Sequence, residues 1–154
     1  YLATTWLWYR VRVQGGAYGA FCSFDPFSGV LSYVSYRDPN VRETLAVYDQ
    51  SGTFLREHPI SEDELTKAII GTIGDFDSYQ LPDAKGYTSM VRHLTGIDDS
   101  YRQKMRDEVL ATDAEGFANF ARVLDEVAKA GRVAVFGSTE AVASVEGLTL
   151  IKVL

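Results

Sequence analysis

Two runs of strand-forming residues, Tyr18 to Phe24 and Val30 to Tyr36, are separated by only five residues, among them Asp25, Pro26, Ser28 and Gly29. The first run alternates Tyr18, Ala20, Cys22 and Phe24 with Gly19, Phe21 and Ser23. The second is β-branched and aromatic, and both compositions suit a pleated, half-buried surface. The residues between them carry turn chemistry, so the two runs close into a hairpin. An isolated two-stranded hairpin is marginal in water. The rest of the chain must therefore cover it, and most of that rest reads as helix.

Residues 2 to about 13 (LATTWLWYRVRV) read as a helix with Leu2, Trp6 and Tyr9 on its apolar side and Trp8 and Arg10 turned elsewhere. The glycines that follow end it. Beyond the hairpin, RDPN at 37 to 40 reads as a helix start, with Asp38 as the cap and Pro39 at the first helical position. Val41, Leu45, Tyr48 and Leu55 give a one-sided stripe. Ser61 and Glu64 have the spacing of a capping box, followed by Leu65, Ala68, Ile69, Ile73 and Phe76 at helical intervals. DSYQLPDAKG reads as a loop, with helix resuming from Gly86 to His93 and another beginning near Asp99. Thr112 and Glu115 predict a second box ahead of Phe117, Phe120, Ala121, Leu124, Val127 and Ala128. RVAVFG and LTLIKVL read as strands around a short helix from Thr139 to Val145. The order predicts an α+β fold in which helices pack on one face of a mostly antiparallel sheet. Residues 1–154 are expected to form one partial domain. Its start inside an aromatic run, without Met, reads as a piece of a longer chain whose sheet lacks its first strands.

Composition narrows the function. A net charge of -6 argues against nucleic acid as a partner, because phosphate binding needs clustered Lys and Arg. No run approaches the ~18 apolar residues of a membrane span. The single cysteine, Cys22, excludes an internal disulfide framework and suits a reducing compartment; its setting in a strand predicts a small buried hydrophobe. His58 and His93 lie far apart, with no carboxylate or cysteine at ligand spacing, and neither HExxH nor its inverse occurs. The expectation is therefore no cofactor and no metal site in this chain.

The run VRVQGGAYG carries the densest chemistry. Arg12 and Tyr18 put a permanent cation and a phenol hydroxyl on either side of a backbone with almost no side chains. Gly15 and Gly16 let another backbone approach closely and permit unusual dihedrals. Two readings of the residues stand side by side. One is equipment for holding an extended peptide and donating to its carbonyl; the other is a tight turn with Arg12 in an ordinary ion pair.

Three ordered motifs, GGAYG, SYRDPN and LPDAKG, make the chain similar to the C-terminal domain of the presequence protease family, of the pitrilysin and insulysin class of inverted-motif zinc peptidases. The similarity covers almost the whole chain. It implies one of four related α/β domains of a clamshell enzyme, two in each half, enclosing a chamber. The zinc of such enzymes, held by HxxEH and a distal glutamate, sits in the N-terminal domain, and the last domain completes the active site with an Arg and a Tyr.

In this sequence the matching catalytic residues are Arg12 and Tyr18, at the family's spacing. Gly15, Gly16 and Ala17 are the substrate-binding backbone beside them. The resemblance implies that Tyr18 donates to the scissile carbonyl, that Arg12 orients the peptide or Tyr18, and that this chain alone hydrolyses nothing. The implied partners are the N-terminal domains of the same protease and peptide substrates, for which basic targeting peptides would match the acidic balance. The implied location is the mitochondrial matrix or chloroplast stroma. A non-catalytic relative kept as a structural or assembly module is the alternative, although such a scaffold has no need of Arg12 and Tyr18.

Overall fold

A computed structural model describes residues 1–149 and 151. The chain divides into two units, one made of Tyr1–Pro59 and Ala118–Leu154 and the other of Ile60–Phe117. The architecture is α+β, as expected: helices accompany one antiparallel hairpin, β1 (Gly19–Asp25) and β2 (Val30–Tyr36). Their register runs from Gly19 opposite Tyr36 to Asp25 opposite Val30. Asp25 builds the turn, its carboxylate accepting from the Phe27 and Ser28 amides and from the Ser28 hydroxyl at 2.6 Å. Gly29 closes it at a φ of 70°.

In the first unit the chain enters as a helical turn that widens into a π-helix over Trp8–Gln14. Bonds five residues apart, such as Leu7 N–H to Leu2 O and Gly15 N–H to Arg10 O, define this wider winding. The face it buries is only partly the one expected: Trp6 packs against the core and Leu2 is half-buried. Leu7 and Val11, four apart, are the buried pair, while Tyr9 is 55% exposed. An α-helical wheel misplaces these side chains because the helix is not wound as an α-helix. Leu7 and Val11 form the core with Ala17, Ala20 and Val47, and Trp6, Cys22, Tyr33 and Tyr48 pack around it. Each large apolar side chain so buried stabilises the fold by about 1.5–3 kcal/mol. The Trp6 indole donates to Val47 O at 2.9 Å and stacks on Phe54, and Tyr33 stacks on Tyr48. Burial pushes the Cys22 thiol and the Tyr33 and Tyr48 phenols up, away from ionisation.

Helices α1 (Val41–Asp49) and α2 (Ser51–Glu57) follow the hairpin. The cap of α1 is Asn40, not Asp38, and Pro39 lies just outside the helix. Asp38 instead accepts from the Asn40 backbone amide at 2.9 Å. Gly52 of α2 lies against the helix that reaches Ala121, Leu124 and Asp125; a methyl there would come within 2.8 Å of Ala121 O. Arg56 adds an ion pair to Asp125 at 2.5 Å.

The second unit holds α3 (Glu62–Phe76), α4 (Pro82–Thr95) and α5 (Asp99–Leu110). The Ser61–Glu64 capping box is present, each side chain bonded to the other's backbone N–H. Helix α4 starts at Pro82, four residues earlier than predicted. Pro at the first helical position, whose missing N–H costs nothing there, outweighs the loop-like look of LPDAKG. Asp98 caps α5 through the Tyr101 amide.

Helix α6 (Ala114–Ala130) is capped differently from expectation: Asp113 accepts from the Gly116 amide at 2.8 Å, and the Thr112 hydroxyl turns back to Glu108 O. Ser138 caps the short α7 (Thr139–Ala143). RVAVFG, residues 132–137, forms no strand. Its residues suit one, but a strand exists only against a partner. The expected strand LTLIKVL lies largely outside the described residues.

Candidate functional site

The π-helix, the two glycines and the ends of the hairpin meet within the first unit, and two of the motifs found in the sequence lie there together. Gly15 ends the π-helix with ordinary right-handed dihedrals, yet no larger residue fits: a Cβ would come to 2.5 Å from Val11 O. Gly16 then turns the chain at a φ of 75°, a left-handed conformation that side chains disfavour. The Asn40 side chain donates to Gly15 O at 2.6 Å, and Pro39 lies under Gly16. SYRDPN therefore buttresses GGAYG. Ala17 points its methyl into the core, so this stretch can present to the outside only its backbone and its neighbours' side chains.

Arg12 sits in the last turn of the π-helix. Its guanidinium lies 3.9 Å from the centroid of the Trp8 ring, one helical row back. Stacking holds the planar group by its face and leaves its in-plane N–H donors free. Arg10 rests likewise on Trp6 at 5.3 Å. The ion pairs among the described residues all lie elsewhere, so Arg12 has no carboxylate partner. Among the described residues, then, the guanidinium rests on an aromatic ring and not on a carboxylate.

Tyr18 is 67% exposed and stands at the mouth of the hairpin. Its N–H donates to Tyr36 O at 3.1 Å, which fixes its backbone to β2. Its ring packs edge-on against Tyr36 at 6.0 Å. Its hydroxyl has no hydrogen-bond partner among the described residues, leaving it an uncommitted neutral donor. Arg12 and Tyr18 do not bond to each other. The cation beside Tyr18 is Arg37, whose guanidinium is 5.9 Å from the Tyr18 ring and 5.4 Å from that of Tyr36. Arg37 is also the one non-glycine residue with positive φ among those described, at 48°. That conformation costs a side-chain-bearing residue about 1–2 kcal/mol.

Trp8, Arg37 and Asn40 are thus parts of the site that sequence reasoning missed. The four-residue interval from Trp8 to Arg12 was a signal for the first. The register opposite Tyr18 was one for the second. No group of three His, Cys, Asp or Glu side chains among the described residues comes together as a metal site. The residues here do not fit a zinc ion, and no chemical step at this site is assigned to one. What the arrangement can do is donate: a phenol and two guanidinium groups, all without acidic partners among the described residues, flank a bare backbone.

Comparison with known proteins places this geometry in context. Residues 1–140 match the family described as the PreP C-terminal domain. Presequence protease 1, chloroplastic/mitochondrial, of Arabidopsis thaliana is 57% identical over 140 residues, covering 91% of this chain and 13% of that protein. Protein HypA of Clostridium perfringens is 37% identical over 139 residues, covering 90% of this chain and 14% of that protein. The mitochondrial presequence protease of Emericella nidulans is 36% identical over 106 residues, 69% of this chain and 10% of that protein. The chain thus spans between 10% and 14% of the lengths of these relatives.

Proposed function

The chain belongs to the PreP C-terminal domain family, and from that membership we propose that it is the substrate-contacting C-terminal part of a zinc metalloendopeptidase. On this reading the full-length enzyme degrades cleaved targeting peptides and other short unstructured peptides. The zinc belongs to other domains of the same protein, and this chain alone is inactive. The names of the relatives support a mitochondrial or chloroplast setting, and on this reading the compartment is the matrix or the stroma. No described helix is long and apolar enough to cross a membrane.

The observation that carries the proposal is the Tyr18 hydroxyl, an exposed donor without a partner among the described residues, on a residue whose backbone is pinned to β2. As a peptide carbonyl becomes tetrahedral its oxygen gains charge, and a donor placed there in advance stabilises it. Removing one such donor typically lowers the rate by ~10²–10³. Arg12, held flat on Trp8, offers its N–H edge to the carbonyls of the bound peptide. Gly15 and Gly16 add no side chain that would keep the peptide away. Ala17 contributes its backbone only, since its methyl is buried.

The test is Tyr18→Phe in the full-length protease, assayed on an unstructured peptide. The expected result is a loss of kcat of ~10²–10³ with little change in KM. An unchanged rate would remove Tyr18 from the chemistry.

A further inference from the structure

Arg37 is held in a backbone conformation that glycine or asparagine adopts more easily. Such outliers persist where the surroundings over-determine them, and they cluster at functional sites. The fold alone gives no reason for a cation at this position. Arg37 makes no ion pair or hydrogen bond among the described residues; its guanidinium lies over the rings of Tyr18 and Tyr36, 5.9 and 5.4 Å from their centroids. The hairpin register, extended by one pair beyond Gly19 and Tyr36, sets Arg37 opposite Tyr18.

We infer that Arg37 is a positioning residue for Tyr18, its guanidinium and the Tyr36 ring together holding the exposed Tyr18 side chain in one orientation. Tyr18 has its backbone fixed by the bond to Tyr36 O, but its ring projects into solvent and turns about two side-chain torsions. The Tyr36 ring meets it edge-on, and Arg37 spans both rings. With the guanidinium removed, the ring samples other rotamers and the hydroxyl is in place for a smaller fraction of the time. That loss falls on the chemical step, not on substrate binding.

The inference rests on the role proposed for Tyr18, and the experiment separates the two. In the full-length protease, kcat and KM on an unstructured peptide are measured for Arg37→Asn, Arg37→Gly and Arg37→Lys, each also in a Tyr18→Phe background. Asn and Gly suit the backbone better than Arg, so their thermal midpoints should equal or exceed that of the parent. The expected result is a kcat lowered about fivefold by Asn or Gly, the size of an exposed cation–π contact. KM should be unchanged, Lys should restore most of the rate, and no further loss should appear once Tyr18 is Phe.

Parental kcat in Arg37→Asn, alongside a damaged Tyr18→Phe, overturns the positioning role and leaves that of Tyr18 standing. A change confined to KM, or a fivefold loss that persists without the Tyr18 hydroxyl, also overturns it, since Arg37 would then act on the substrate directly. Full activity of Tyr18→Phe itself defeats the underlying reading, and this one with it.

Discussion

At the scale of single residues, Gly15 and Gly16 look alike in sequence and are needed for different reasons. Gly16 is there for its dihedrals, with φ at 75°. Gly15 is there for space, since a methyl would sit 2.5 Å from Val11 O where the π-helix closes. Backbone cannot move aside as a flexible side chain does. Gly15→Ala is therefore expected to destabilise the fold by about 2–3 kcal/mol, and Gly16→Ala by about 1–2 kcal/mol. Urea unfolding followed by far-UV circular dichroism measures both, and a parental midpoint for Gly15→Ala would contradict the clash. The sequence made the glycines, Arg12 and Tyr18 visible as a group, because such residue types are rare together. It did not show what each one touches. Arg12 lies on Trp8 and not in an ion pair, and Arg37 holds the place beside Tyr18. Those facts depend on helix winding and strand register, which no single residue reports.

At the scale of elements, local chemistry was legible wherever one side chain answers a nearby backbone group. The hairpin turn and the Ser61–Glu64 box form as the spacing predicts. The expectation failed at two helix starts: Asp113 caps α6 in place of Thr112, and Asn40, not Asp38, takes the N-cap position of α1, its side chain bonded to Gly15 O and to no helix amide. The winding of the first helix was equally hidden, since period alone does not separate α from π.

The turn itself yields a pH dependence. The Ser28 hydroxyl, with help from the Phe27 and Ser28 amides, holds the Asp25 carboxyl below its ordinary 3.8. A folded-state value below the unfolded one means that the unfolded chain binds the proton first. The contribution is therefore complete well above 3.8, where both states are ionised, and is lost as pH falls past 3.8 and through the folded value. Asp25→Asn keeps one acceptor oxygen but loses the one that receives the Ser28 bonds. Its thermal midpoint should fall below the parent's near neutrality, and the gap should close on acidification below that value. A gap that stays constant with pH would show that the carboxylate charge plays no part in the turn.

At the scale of the whole molecule, the two units are built unequally. The first contains fully buried Leu7, Val11 and Ala121, together with aromatic stacks. In the second, α3, α4 and α5 bury no residue completely, and the stripe of Leu65, Ala68, Ile69 and Ile73 is only half-buried. Periodicity revealed which face of α3 is apolar, but not how much of that face is covered. Opening free energy follows buried apolar contact, so the units should not open together.

Native-state hydrogen exchange tests this amide by amide. Protection in α3 to α5 should reflect local opening, with low dependence on denaturant. Amides of Leu7, Val11 and the β1–β2 ladder should exchange only through the largest opening the chain undergoes. Uniform protection across both units would mean that they unfold as one body despite the difference in burial. If the units do differ, the elements that carry Arg12, Tyr18 and Arg37 are the rigid ones. A preorganised donor requires that rigidity, because a hydroxyl that must be ordered at each turnover stabilises a developing charge less than one already held in place.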